Sequence, residues 1–145
     1  MEIVTKYHGD IEVNKDDIWY FPKGIPGFPD EDQFILYPLT NQDVFSILQS
    51  IKNSEVAFVV TNPFAFFPDY DFVLDENIIA LLELEASDDA IPFVILTLGE
   101  SLKTSSANLQ APLVLNVKNK RCKQVILHDT PYHTKHLLLS QIVEG

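Results

Sequence analysis

The sequence predicts a mainly β protein, a small antiparallel or mixed pseudobarrel of roughly eight to ten strands with one short helix. Short hydrophobic runs rich in Val, Ile, Leu and Phe recur along the chain, and clusters of Gly, Pro, Asn, Asp or Lys separate them. Only one segment shows clear helical periodicity. We expect a closed or nearly closed barrel, because closure leaves few unpaired strand edges.

The N-terminal part predicts three short strands, at residues 2–5, 10–14 and 17–21. Gly9 and Asp10 supply hairpin-turn chemistry between the first two strands. After the third strand, Pro26 and Gly27 offer the fixed φ and then the positive φ that a type II turn requires.

The middle of the chain predicts a meander followed by the helix. Strands are expected at residues 33–39, 44–51 and 56–61, joined by turn-like segments at 40–43 and 52–55. The helix is expected over 74–85, with Asp75 as its N-cap and Glu76 in its first turn. Its apolar face would carry Ile78, Ile79, Leu81 and Leu82.

The C-terminal part predicts strands at residues 92–98, 113–117 and 122–128. The apolar runs in 56–60 and 93–98 are continuous rather than alternating, which predicts strands covered on both faces. The tail, residues 133–145, is compatible with a final helix and equally with a partly ordered end.

Composition and charge limit the function. The 145 residues suffice for one domain spanning 1–145. The net charge of −11 disfavours direct binding to nucleic acid, because the field repels phosphate, and favours a basic partner surface. Residues 53–102 contain ten acidic residues and no Lys, Arg or His. The charged N-terminus and the lack of a long apolar run predict a cytoplasmic protein without membrane contact.

No enzymatic constellation stands out. The chain has neither a Gly-x-Ser-x-Gly motif nor a Gly-rich phosphate loop, and Cys122 is its single cysteine. His128, His133 and His136, with Asp129, form a C-terminal cluster that offers a possible metal site. Their spacing matches no standard zinc motif, so we expect no metal, cofactor or catalytic residue.

The aromatic segment, residues 61–72 (TNPFAFFPDYDF), is the most distinctive part of the chain. Its prolines keep it out of a central strand, whereas its aromatic density indicates burial in a core or against a partner.

Three regions resemble the signature regions of the flagellar assembly factor FliW family. They are FPKGIPGFPDEDQFIL (21–36), FVVTNPFAFFPDYDF (58–72) and SSANLQAPLVLNVKNKRCKQVIL (105–127). The resemblance implies a cytoplasmic β pseudobarrel without enzymatic activity. It also implies two mutually exclusive partners, the filament subunit flagellin and CsrA, a dimeric RNA-binding repressor of flagellin translation. Segment 80–92 departs from the family because it lacks the usual glycine near the helix end.

The resemblance and the aromatic pattern together indicate a partner-binding site, and we expect a monomer. The predicted contact residues are Asn62, Phe64, Phe66, Phe67, Tyr70 and Asn108. As an alternative, the phenylalanines cap one end of the barrel and the asparagines bond loop backbones. A second functional hypothesis is a small-molecule enzyme or ligand-binding barrel, its pocket ringed by Trp19, Tyr20 and the same phenylalanines.

Overall fold

The computed structural model describes residues 1–39 and 44–139, and in these ranges the chain forms eleven strands and one α-helix. The strands are β1 (Glu2–Val4), β2 (Asp10–Glu12), β3 (Trp19–Tyr20), β4 (Gln33–Pro38), β5 (Ser46–Ser50), β6 (Ala57–Thr61), β7 (Ala90–Thr97), β8 (Ser106–Ala107), β9 (Leu113–Asn116), β10 (Cys122–Gln124) and β11 (His136–Leu137). The helix α1 spans Glu76–Leu82. The mainly β prediction is confirmed.

The strands form a two-stranded and a nine-stranded sheet. β1 pairs with β2, and the larger sheet runs β10-β9-β7-β6-β5-β4-β3, with β8 between β7 and β11. Among the described residues the ladder of strands does not close into a barrel. Its two ends are nevertheless linked by an isolated parallel bridge between Tyr20, in β3, and Arg121, just before β10. There the Tyr20 N–H donates to the Lys120 carbonyl at 2.8 Å.

Both faces of the large sheet are covered, as the continuous apolar runs predicted. In β7, Val94 belongs to a core cluster on one face, whereas Phe93 and Ile95 pack against a second cluster on the other. Phe21 and Phe34 are fully buried in the second cluster, with ring centroids 5.2 Å apart. The face of the sheet that carries the second cluster is therefore filled around these two rings.

Helix α1 confirms the predicted N-cap and is shorter than predicted. Asp75 Oδ1 accepts a hydrogen bond from the Ile78 N–H at 2.9 Å. The helix ends at Glu83, which has a φ of +56°, and the Leu84 N–H donates to the Ile79 carbonyl at 3.0 Å. This left-handed end usually requires glycine. Ile79 lies on the predicted apolar face but is 39% exposed, because the short helix buries only its Ile78 and Leu82 side.

The turn after β3 also matches its prediction. Gly27 has a φ of +89°, and the Phe28 N–H donates to the Ile25 carbonyl at 2.7 Å. Positive φ at the third position, preceded by proline, defines a type II turn.

The main differences between the predicted and the observed strands lie in the C-terminal tail and in the segment that contains residues 106–107. Residues 136–137 form β11 in the tail, where a final helix or a partly ordered end was expected. β11 pairs with β8 at 106–107, where no strand was predicted. The predicted turn at 40–43 and the final residues, 140–145, lie outside the described residues.

Candidate functional site

The aromatic segment leaves the sheet at the end of β6 and turns at once. Asn62 Oδ1 accepts a hydrogen bond from the Phe64 N–H at 3.0 Å and so caps a short 3-10 helix, Pro63–Ala65. Pro63 fits the first helical position, where its φ is suitable and no N–H is needed. This local chemistry turns the chain sharply across one face of the sheet.

Three predicted contact residues of this segment pack wholly or partly into the protein. Tyr70 is 4% exposed, and its hydroxyl donates to the Leu109 carbonyl at 2.7 Å. Burial raises the pKa of Tyr70. Phe66 stacks on Phe45 at 5.9 Å between ring centroids, and both Phe66 and Phe67 are half-buried against the core.

Asn108 organises the loop before β9. Its Oδ1 accepts from the Gln110 N–H at 3.2 Å and from the Ala111 N–H at 3.1 Å. Its side chain thus bonds loop backbone, as the alternative interpretation expected.

Phe64 differs from the other aromatic candidates, because it is 46% exposed and lines a groove of about 490 Å³. Phe64 and Phe72 line the groove from the aromatic segment, Ile79 lines it from α1, and Leu84 lines it from two residues beyond the end of α1. Ala90, Pro92 and Val114 line it from β7 and β9. We call this feature the α1 groove.

Hydrogen bonds from the β9–β10 connection hold the α1 side of the groove in place. The Nδ2 groups of Asn116 and Asn119 donate to the Leu82 carbonyl at 2.8 and 3.0 Å. Arg121 Nη1 donates to the Leu81 carbonyl at 3.2 Å and lies 3.0 Å from Glu83 Oε2. These donors satisfy carbonyls that the last turn of a helix leaves without partners.

The rim of the α1 groove is acidic. Asp71 and Glu85 both line it, and both are exposed. Lys118 lies 3.6 Å from Glu85 and 3.4 Å from the nearly buried carboxylate of Asp89, whose hydrogen bond raises the pKa of the lysine. The charge field near the groove is therefore negative, with Lys118 and Arg121 as the cations seen to pair with its acids.

The histidine cluster takes part in packing. The His133 N–H donates to His136 Nε2 at 2.9 Å, and the two rings stack at 3.7 Å. Burial, and secondarily the neighbouring His133, lower the pKa of His136. Within residues 1–39 and 44–139, no group of three or more His, Cys, Asp or Glu side chains is arranged to hold a metal ion.

Comparison with known proteins places the chain in one family. The sequence profile described as "FliW protein" matches residues 2–138. A "Flagellar assembly factor FliW" from Bacillus pumilus is 49% identical over 138 residues, which are 95% of this chain and 96% of the relative. One from Bacillus subtilis is 45% identical over 136 residues, covering 94% and 95%.

This chain belongs to the FliW family. A solved structure, "Crystal structure of the flagellar assembly factor FliW", matches with a TM-score of 0.90 and 45% identity. The match covers 95% of this chain and 96% of that one, so the fold described above is the FliW fold. Among the helices in the described parts of the chain, none has the length and hydropathy to cross a membrane.

In this FliW fold the predicted site residues do not form one surface. Phe64 lines the α1 groove, whereas Tyr70 lies in the core and Asn62 and Asn108 cap loops. The contact role of these six residues stays a prediction. Sequence reasoning did not select Leu74 and Leu84, which line the groove, or Ile79 as a groove residue. The sequence did offer a signal. Segment 74–85 carries more apolar residues than one buried face of a short helix can cover.

Proposed function

We propose that this FliW-family chain is a non-enzymatic, monomeric, cytoplasmic flagellar assembly factor. It binds flagellin and the translational regulator CsrA in a mutually exclusive switch and thereby controls flagellin translation. Family membership supports the flagellar role. The α1 groove is an exposed apolar surface formed mainly by residues of 53–102, the segment that has ten acidic residues and no basic ones. It is the observation that carries the protein-binding role.

For flagellin, the proposed interaction is temporary cover of amphipathic segments that later form the filament core. A groove with aromatic and aliphatic walls suits such a segment, because burying both apolar surfaces removes them from water. Phe64 is the aromatic side chain of segment 61–72 best placed to serve as an anchor.

For CsrA, the proposed antagonism is electrostatic. Nine of the ten acidic residues in 53–102 are exposed, and the tenth, Asp89, is buried. Such a surface held beside CsrA repels RNA phosphates and lowers RNA affinity without covering the RNA-binding site. The chain itself then needs no contact with nucleic acid.

The geometry gives less support to a small-molecule enzyme or ligand barrel. The second core cluster is filled around Phe21 and Phe34, both 0% exposed. Among the described residues, neither Trp19 nor Tyr20 lines the α1 groove, and its polar lining is confined to Asp71, Glu85 and Ser87.

The test is a displacement experiment with purified components. Immobilised chain is saturated with CsrA, flagellin is added, and released CsrA is measured; the reverse order is run in parallel. We expect each partner to release the other. Phe64→Ala should weaken flagellin binding, whereas Phe28→Ala, which removes a similarly exposed aromatic (40%) outside the groove, should not. Simultaneous binding of both partners, or binding of neither, refutes the switch.

A further inference from the structure

The part of the α1 groove formed by β7 and β9 consists of side chains on the face of the large sheet. Pro92 and Val114 are directly paired across β7 and β9, and Ala90 lies two residues from Pro92 on the same face. Pro92 has no N–H, and β9 already pairs with β7 at this position. An occupant is therefore recognised through side chains rather than by adding a strand.

The other lining residues come from two segments. Phe64 and Phe72 belong to the aromatic segment, Ile79 belongs to α1, and Leu84 lies two residues beyond the end of that helix. An apolar groove lined in this way suits an amphipathic helix, which proteins bind through apolar anchors at i, i+3 or i+4, and i+7. Its volume of about 490 Å³ is ample for several such side chains.

The groove is also preformed. The hydrogen bonds from Asn116, Asn119 and Arg121 fix the end of α1, and just before β7 the buried Asp89 carboxylate accepts a hydrogen bond from the Ala86 N–H at 3.2 Å. A wall held in this way loses little conformational freedom when it is occupied.

The charges at the rim select the sign of the occupant. Asp71 forms no ion pair within the described residues, and the Lys118–Glu85 contact is an exposed pair of the weak kind. Residues 53–102 supply no cation of their own. Lysine or arginine beside the apolar face of a bound helix would therefore meet a negative rim.

We infer that the α1 groove binds a short amphipathic helix of a protein partner that carries lysine or arginine beside its apolar face. This inference deepens the proposed function. It rests on that function only because it assumes that the bound helix belongs to a protein partner. It adds the conformation and the charge of the bound segment.

Three fluorescently labelled synthetic peptides of equal length test it by anisotropy with the full chain. The first is a helix with leucines along one face and lysines beside them; the second has glutamate for each lysine; the third scrambles the first and has no apolar face. We expect the first peptide to bind at least about tenfold more tightly than the other two.

Variants locate the site. Phe64→Ala and Ile79→Ala should each weaken the first peptide by about tenfold, as expected for central apolar anchors. Asp71→Asn should weaken it less and reduce its dependence on salt, and Phe28→Ala should leave it unchanged. Ile79→Ala keeps a strong helix former in α1, so correct folding is expected.

Equal binding of the three peptides, no binding of the first, or equal effects of Phe64→Ala and Phe28→Ala would overturn the inference. Flagellin and CsrA titrations with the same variants separate the two proposals. If both partners bind and compete but ignore the groove variants, the helix site is wrong and the switch stands. If the peptide binds in the groove but neither partner binds the chain, the switch is wrong and the helix site stands.

Discussion

The Tyr70 hydroxyl donates to the Leu109 carbonyl at 2.7 Å and so joins the aromatic segment to the loop that precedes β9. The Tyr70 ring also packs edge-on against Tyr132, with centroids 4.7 Å apart. Tyr70 thus connects the aromatic segment to the loop at Leu109 and to the C-terminal part of the chain at Tyr132. The aromatic segment is divided between this structural role and the exposed Phe64.

Removing the Tyr70 hydroxyl should lower stability. Tyr70→Phe keeps the ring but leaves a buried carbonyl without its partner, which costs about 1–3 kcal/mol. Tyr70→Ala also leaves a cavity and should cost about 3–5 kcal/mol. Urea unfolding measures both. We expect folded Tyr70→Phe to bind flagellin and CsrA normally; weaker binding at unchanged stability would show instead that the hydroxyl touches a partner.

Asn108 should matter as a backbone cap. Asn108→Ala removes the acceptor of two N–H groups and should cost about 1–2 kcal/mol. Asn108→Asp retains the acceptor and is the matched control, expected to lose less. Equal stability of the alanine variant and the natural chain in urea would argue against the capping role.

Glycine at position 83 should stabilise the chain. Glu83 has a φ of +56°, and a side chain in this conformation costs about 1–2 kcal/mol. The exposed pair with Arg121 offsets at most about 1 kcal/mol. Glu83→Gly should therefore raise the free energy of unfolding by about 0.5–1 kcal/mol. Glu83→Gln keeps the backbone strain and loses the charge, so it should not stabilise the chain. If the free energy of unfolding also rose in Glu83→Gln, the effect would be due to charge.

Stability should fall in mild acid partly through His136. Its pKa is lowered in the folded chain, so the unfolded chain binds a proton first as the pH drops below about 6.5. The loss of stability due to His136 is complete once the pH lies below the pKa of this residue in the folded chain. His136→Gln keeps an acceptor for the His133 N–H and does not titrate. Thermal unfolding from neutral pH to about pH 5 should show a smaller decline for this variant; parallel declines would exclude His136.

Salt should slow the association of the chain with CsrA. Raising the ionic strength from about 0.1 M to about 1 M shortens the Debye length from about 10 Å to about 3 Å. If the acidic surface steers CsrA, the on-rate should drop by about tenfold or more, with a smaller change in the off-rate. Stopped-flow fluorescence gives both rates. An on-rate indifferent to salt would remove steering from the account.

Local chemistry made much of the fold predictable. The Asp75 cap and the Pro26-Gly27 turn each depend on one or two side chains, so the sequence specified them directly. The β8–β11 pair was missed because two-residue strands carry no periodicity; only their pairing across the fold defines them.

The packing of the aromatic segment was predictable only in part. The aromatic content of 61–72 indicated either core or interface, yet the side-chain directions depend on the Asn62 cap and on the loop around Leu109, which lies far along the chain. For the same reason the outward position of Ile79 did not follow from helical periodicity alone, because the buried arc of α1 is set by the sheet beneath it.

The bridge between Tyr20 and Arg121 has a consequence for folding. These residues are about a hundred positions apart, so joining them closes a very long loop, whose entropic cost rises with the logarithm of its length. A single bridge with one hydrogen bond offers little enthalpy in return. The bridge between β3 and the start of β10 should therefore form after the β4–β5–β6 meander and open before it. In hydrogen exchange, the Tyr20 amide should report this local opening early.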